Sequence, residues 1–280
     1  MSARSLKEFF THLAQESDRQ AAGTSPASDP AEVVAHVGEL LAALEDGTVR
    51  AATRSADGTW QAHAWVKQGI LAAFRHSETV ELDWPGGAVD KSLVPARQMV
   101  AEDGVRVVPG GTSVRRGAHL APGVVVMPPS YLNVGAFVHA GSMVDSHVLV
   151  GSCAQVGRGV HLSAAVQLGG VLEPVGARPV VVEDDAFVGA QCGLYEGAVV
   201  RERAVLAPGV VLTGRTTIYD LVHEREIRGE VPAGAVVVPG SRPAGGDFAG
   251  ARRLSLYAPV IVKYRDSSTD ASTVLEDALR

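Results

Sequence analysis

The sequence predicts a mainly β protein: a parallel β-helix of six-residue repeats, preceded by an α/β domain and followed by a small extension of strand and helix. Three observations carry this. An aliphatic residue recurs at every sixth position from Val108 to Leu168, and again from Val182 to Ile218. The chain holds 31 glycines while aromatic residues make up only 5% of it, which suits many tight turns around small aliphatic side chains. The segments on either side lose this period, and those before it show helical spacing.

The elements follow in order. "SLKEFFTHLAQ" places Leu6, Phe9, Phe10 and Leu13 on one helical face. "SDPAEVVAHVGELLAALEDG" reads as a second helix, with Asp29 as N-cap, Pro30 at the first turn, Glu32 close behind and Gly47 at the end. "TVRAATRSADGTWQAHAW" reads as a hairpin turning at Asp57–Gly58. "AWVKQGILAAFR" reads as a third helix, and residues 76–104 as irregular. The N-terminal α/β domain is therefore assigned to residues 1–104, the β-helix to 105–220 and the C-terminal part to 221–280. That last part is read as a hairpin in "REIRGEVPAGAVVVPG", a strand in "RLSLYAPVIVKY" and a polar-to-helical tail, "SSTDASTVLEDALR".

A strict period of six fits neither a helix nor a sheet of ordinary hairpins. It fits a solenoid whose triangular coils each take three hexapeptides. One aliphatic residue per hexapeptide points inward, and coils stack at roughly 4.8 Å. The phase slips by two residues across "VLEPVGARP".

This frame sorts the polar residues of "MVDSHVLVGSCAQVGRGVHLS", Met143 to Ser163. Asp145 follows the inward Val144, so strand alternation turns it out of the core. Cys153 reads as a small buried filler. His161 is either a general base or a hydrogen-bonded corner residue. A metal site on a coil face needs ligands stacked on successive coils. One coil on from His119, His139 and His147 stand Phe137, Gly157 and Ala165, and one coil back from His161 stands Met143. No metal is expected from a chain whose histidines do not stack. Arg106 is either a salt bridge capping the first coil or a carboxylate-binding group.

Composition narrows the classes of function. A net charge of −6 makes no electrostatic case for nucleic acid or an acidic membrane surface. No apolar run approaches the ~20 residues of a membrane span, and the N-terminus lacks the apolar core of a signal peptide. Two cysteines imply no disulfide framework. The cytoplasm is the expected location.

Several strings are more specific than the period. "GTWQAHAWVKQGILAAFR", "VRVVP", "MPPSYLNVGAFV", "GSMVDSHVLVGSCAQVG", "HLSAAVQLGGVLEP" and "LSLYAPVIVK" resemble the tetrahydrodipicolinate N-succinyltransferases, in order from about Val33 to Lys263. The resemblance implies a left-handed β-helix, a homotrimer and active sites between neighbouring subunits. It implies succinyl-CoA as acyl donor and a ring-opened amino-dicarboxylate as acceptor, in lysine and diaminopimelate synthesis. It implies that Arg106 binds substrate and that Asp145 contacts the amino-acid end of that substrate. Among the basic residues that could meet the phosphates of CoA (Arg201, Arg203, Arg215, Arg252, Arg253, Lys263 and Arg265), Lys263 ends the family-like C-terminal strand. Gly169 and Gly170 let the pantetheine arm approach the backbone, or simply make a turn.

The sequence also departs from the family. The acid usual in the coil that reads "GAQCGLYEG" is Gly193, although Glu196 stands three residues on and is a further candidate for proton transfer. Ser146–His147 replace the usual tryptophan, Ala164–Ala165 replace a glycine pair, and "VDKSLVP" is a shortened family segment. Three functions therefore stay open: the succinyltransferase; a paralogue of specialised, tabtoxin-like metabolism that uses acetyl-CoA on a related amino acid; and a non-catalytic hexapeptide protein that binds or assembles.

Overall fold

The structure is a computed structural model and describes residues 2–21, 28–84 and 86–266. The predicted C-terminal helix in "SSTDASTVLEDALR" lies outside these described residues. Three helices open the chain: α1 (Ala3–Ala21), α2 (Pro30–Glu45) and α3 (Ala64–Arg75). Asp29 caps α2 by accepting from the Ala31 amide at 3.0 Å. Gly47 follows the helix end at φ +81, and a Cβ there would stand 2.8 Å from the His119 ring. Only glycine lets the end of α2 come down onto the coil at this point. The His119 ring nitrogen Nδ1 bonds the Glu45 carbonyl there at 2.8 Å.

The predicted hairpin is present as β1 (Ala52–Arg54) and β2 (Trp60–Ala62). Residues 76–104 are not wholly irregular. They contain a second hairpin, β3 (Thr79–Leu82) and β4 (Ala88–Lys91), with Thr79 opposite Lys91. Both strands stay half exposed, so their apolar alternation is diluted by charge and the sequence signal is weak.

The repeat folds into a triangular parallel coil of two-residue strands. The first face stacks Arg106–Val107, Val125–Val126, Met143–Val144, His161–Leu162, Phe187–Val188 and Val205–Leu206. The second stacks Ser113–Val114 through Gly193–Leu194 to Val211–Leu212, and the third His119–Leu120 through Val199–Val200 to Glu230–Val231. The second residue of nearly every pair points inward, and these residues form one buried aliphatic column. Each contributes about 1.5–3 kcal/mol on burial. The frame starts one residue earlier than the period suggests: Val107, not Val108, lies opposite Val126. Between Leu168 and Val181 the chain leaves the coil on a long excursion and returns in register, with Gln155 opposite Val181. That excursion is the physical form of the slip in phase.

"REIRGEVPAGAVVVPG" is not a hairpin. Arg225–Arg228 folds antiparallel onto Thr217–Asp220, Glu230–Val231 completes the third face, and Ala235–Pro243 extends the first. Val231 lies over Val200 and Val237 over Leu206. Their spacing of six continues the repeat, and coil stacking takes precedence over the local turn signal. The strand Ser255–Tyr264 then pairs antiparallel with Ala235–Pro243, after a short helix α4 (Asp247–Ala251).

The buried Asp220 ties this end together. It accepts from His223 Nδ1 at 2.9 Å, Arg225 Nε at 3.1 Å and the Tyr264 hydroxyl at 2.8 Å. Burial alone would raise its pKa, but these donors outweigh it and hold the carboxyl at about 2. A carboxyl held below its unfolded value of about 3.9 stabilises the fold above that pH and loses the effect as pH falls toward 2. The melting-temperature difference between wild type and Asp220→Asn is expected to be constant above pH 5 and to shrink between about pH 4 and pH 2. A pH-independent difference would remove Asp220 ionisation as the cause.

Candidate active site

The predicted residues divide between two regions of the triangle. Arg106 lies on the first face and aligns with Val125, which aligns in turn with Met143 and then His161. Arg106 is exposed and makes no ion pair among the described residues, so it is not the salt-bridged cap of the first coil. Asp145 starts the corner between the first and second faces. Its amide donates to the Leu162 carbonyl at 2.9 Å, and its own carbonyl accepts from Ser130 Oγ at 2.8 Å. Oδ1 accepts from the Ser146 amide at 2.7 Å. Backbone bonds to the coils above and below thus fix where the half-buried carboxylate stands.

His161 is not a corner residue. It lies on a strand of the first face and stacks on Phe187, with ring centroids 4.9 Å apart. His147, one of the departures from the family, takes a left-handed corner conformation at φ 63 and is exposed. It borders a shallow cavity of about 400 Å³ with Ser130, Tyr131 and Gln167, next to the Asp145 corner.

Gly169, Gly170 and Glu196 gather at the corner between the second and third faces. They line a groove of about 980 Å³ together with Trp60, Arg178, Tyr195 and Arg215. In a triangular coil this corner lies opposite the first face. One side of the triangle, six residues long, is roughly 20 Å across. Lys263 belongs to neither group: it sits near the far end of the first-face sheet, opposite Val236, and pairs with Asp266 at 3.4 Å.

Three residues hold the surroundings of the groove: Trp60 and Lys67, which carried no role in the sequence analysis, and Arg201, which stood there only among the candidate CoA-phosphate contacts. Trp60 Nε1 donates to Glu183 Oε1 at 2.7 Å, and Arg201 donates to the same oxygen and to the Gly58 carbonyl, both at 2.8 Å. Arg201 also pairs with Glu230. Arg201 therefore joins the N-terminal hairpin to the coil, which accounts for its charge without a CoA phosphate. Trp60 was visible only as a letter in a motif; its partner Glu183 is distant in sequence. The third, Lys67 of α3, is fully buried. Its ammonium donates to the Ala177 carbonyl of the excursion, and burial lowers its pKa. Cys153 is buried beside it, but in the core of the N-terminal domain rather than inside the coil. Burial pushes its thiol up to about 12, so the neutral thiol persists at physiological pH and Cys153 is no nucleophile.

The described residues contain no group of three His, Cys, Asp or Glu side chains placed to hold a metal ion. No helix among them is long and apolar enough to cross a membrane.

A family model described as "Tetrahydrodipicolinate N-succinyltransferase N-terminal" matches residues 15–76, and one described as "Hexapeptide repeat of succinyl-transferase" matches residues 179–214. Curated relatives named 2,3,4,5-tetrahydropyridine-2,6-dicarboxylate N-succinyltransferase align along most of the chain. That of Acidovorax ebreus (strain TPSY) is 45% identical, covering 92% of this chain and 94% of its own. That of Azoarcus sp. (strain BH72) is 46% identical with the same coverage. That of Acinetobacter baylyi is 41% identical over 98% of this chain and 99% of its own.

Lys67 holds the excursion through one buried bond, and the excursion walls the groove. Lys67→Met keeps the apolar bulk and removes the donor. Hydrogen exchange at the Val171 and Ala177 amides, both hydrogen-bonded within or beside the excursion, is expected to speed up by about tenfold, consistent with a hydrogen bond to a charged group. Unchanged protection there would show that the excursion is held by other contacts.

Proposed function

The chain belongs to the tetrahydrodipicolinate N-succinyltransferases, and we propose that it transfers the succinyl group of succinyl-CoA to the amine of ring-opened tetrahydrodipicolinate, in lysine and diaminopimelate synthesis. The observation that carries this is identity of 41–46% along nearly the whole length of relatives so named. The coil is proposed to be left-handed, as in that family, and the enzyme to act in the cytoplasm.

The chemistry asks for few groups. The acceptor nitrogen must lose a proton to attack, because an ammonium has no lone pair. Asp145 is the proposed base: Oδ1 is held by its own turn, and Oδ2 has no hydrogen-bond partner among the described residues. The nitrogen attacks the thioester carbonyl, the oxyanion collapses, and the C–S bond breaks to release the CoA thiolate, which takes up a proton. Arg106 is the proposed cation for an acceptor carboxylate, a role its planar fork suits. Gly169 and Gly170 are proposed to pass the pantetheine arm, with Glu196 at its side. His161 is a weaker candidate for proton transfer because its ring is packed flat on Phe187.

A homotrimer is proposed, and the division of the site supports it. Asp145 and Arg106 lie on and beside the first face, while Gly169, Gly170 and Glu196 lie at the corner opposite that face. A second copy that sets its groove against the first face would bring the two groups together, and three copies close a ring without unmatched surface. The exposed apolar side chains Phe248, Leu254, Leu256 and Val262 of the C-terminal region support association.

A second reading, a paralogue with another acyl group or acceptor, is favoured by Gly193 and His147, which stand where the family's motifs carry other residues. A thiol-release assay with succinyl-CoA and acetyl-CoA separates both enzymes from a purely binding protein. Wild type is expected to release thiol from succinyl-CoA only when tetrahydrodipicolinate is present.

Light scattering at micromolar concentration is expected to give a mass of three chains, and a monomer would overturn the shared site. Asp145→Asn keeps the shape of the corner but cannot accept the proton. Its turnover is expected to fall by about 10²-fold or more with the melting temperature little changed. Near wild-type turnover would move the base elsewhere.

A further inference from the structure

Tyr195 lies where the groove and the departure at Gly193 meet. Gly193 belongs to a second-face strand and has Gln167 as its neighbour on the coil before. A Cβ built on Gly193 would stand 2.7 Å from Tyr195 Cε2 and 3.0 Å from its hydroxyl. A Cβ on Gly169 would stand 2.7 Å from Tyr195 Cδ1. The ring therefore folds back over two bare backbone positions on successive coils, and side chains at either would displace it. The ring is still 37% exposed, and that exposed part lines the groove beside Gly170, Glu196 and Arg215. The room at position 193 is thus already occupied, by a phenol carried in from the next corner.

This has a chemical consequence. A carboxylate side chain at 193 would present an acceptor carrying negative charge. The phenol presents an uncharged hydroxyl that donates. Arg215, exposed on the coil above, and Arg178 of the excursion bring two guanidinium groups to the groove, which Glu173 and Glu196 also line. Arg178 spends its Nε on the Gly197 carbonyl at 3.0 Å, which fixes the guanidinium at the wall. A hydroxyl donor that shares a groove with two arginines offers a carboxylate both a hydrogen bond and opposite charge.

We propose that Tyr195 is a specificity-determining residue of the groove, and that its hydroxyl, with Arg215, receives the terminal carboxylate of a dicarboxylic acyl-CoA thioester. Gly193 and Gly169 are the shelf that lets the ring lie there. The proposal rests on the reading of the protein as a CoA-dependent succinyltransferase and assigns the selection of its acyl group.

The test is calorimetric binding of succinyl-CoA and acetyl-CoA to the intact wild-type protein and to Tyr195→Phe, with succinyl transfer to tetrahydrodipicolinate followed in parallel. Phenylalanine keeps the ring on its shelf and removes only the donor. Tyr195→Phe is expected to weaken succinyl-CoA at least about tenfold, as loss of a hydrogen bond to a charged group does, and to leave acetyl-CoA within about twofold. Equal losses for the two thioesters, or none, would overturn the proposal while wild-type transfer leaves the enzyme assignment standing. Wild-type protein that binds neither thioester would overturn both.

The position of the ring has its own readout. Gly193→Ala is expected to lower the melting temperature of wild type and to cost little in a Tyr195→Ala background, because the clash is with the ring. Equal costs in the two backgrounds would place the ring elsewhere and remove the shelf.

Discussion

Register between coils is the constraint on which the rest depends. Each hexapeptide contributes one aliphatic side chain to the central column, and each column residue lies over its counterpart on the coil before: Leu120, Val138, Val156, Val182 and Val200 along the third face alone. A slip of one residue would turn that whole set outward, so the column fixes the outward residues as firmly as the inward ones. Asp145 owes its position to this. It does not sit on a flexible loop; its amide and carbonyl are bonded to the coils on either side. The same logic keeps Arg106 in line with Met143 and His161.

Between Leu168 and Val181 the chain leaves the coil and returns without breaking the register. This excursion is held from outside: the N-terminal domain sends Lys67 to its Ala177 carbonyl, and the coil's Gly197 carbonyl takes Arg178. Trp60 reaches the same groove from the β1–β2 hairpin and is anchored by Glu183, which Arg201 also holds. Arg54 lies 3.5 Å from the same Glu183 oxygen, so this buried carboxylate is paired with two guanidinium groups as well as the indole. The N-terminal domain thus does more than cover the end of the coil. It supplies one wall of the groove and the support for another.

Much of this was legible in the chain itself, and the reason is periodicity. A repeat of six announces the coil, and capping residues such as Asp29 and Gly47 announce α2, because these signals are local. The failures share a cause. The β3–β4 hairpin is half exposed on both strands and shows little alternation. The segment around Val231 and Val237 was read from its turn residues, although its spacing of six still belonged to the coil. For His161, the corner alternative fails because the frame puts it on a strand beside Leu162. Trp60 and Lys67 act through partners more than a hundred residues away, and nothing nearby marks them; the charge of Arg201 is visible, but its link to the Gly58 carbonyl is just as distant. Asp145 and Arg106 were found through motifs; that they lie away from Gly169 and Glu196 needed the triangle.

Gly193 shows how a difference at one position can mislead when it is read alone. As a letter it is a deletion: the acid is gone and a space is left. In the fold there is no space, because the ring of Tyr195 covers both Gly193 and Gly169. Two positions on one strand and corner have to be read as a pair, since the coil brings the side chain of one over the backbone of the other. The exchange also changes sign, from a charged acceptor to an uncharged donor, without disturbing the inward Leu194 between them. The coil allows this because its stability resides in the column. Outward residues can change chemistry in pairs at little cost to the core, which is how a rigid solenoid can be retuned for another ligand while keeping its register.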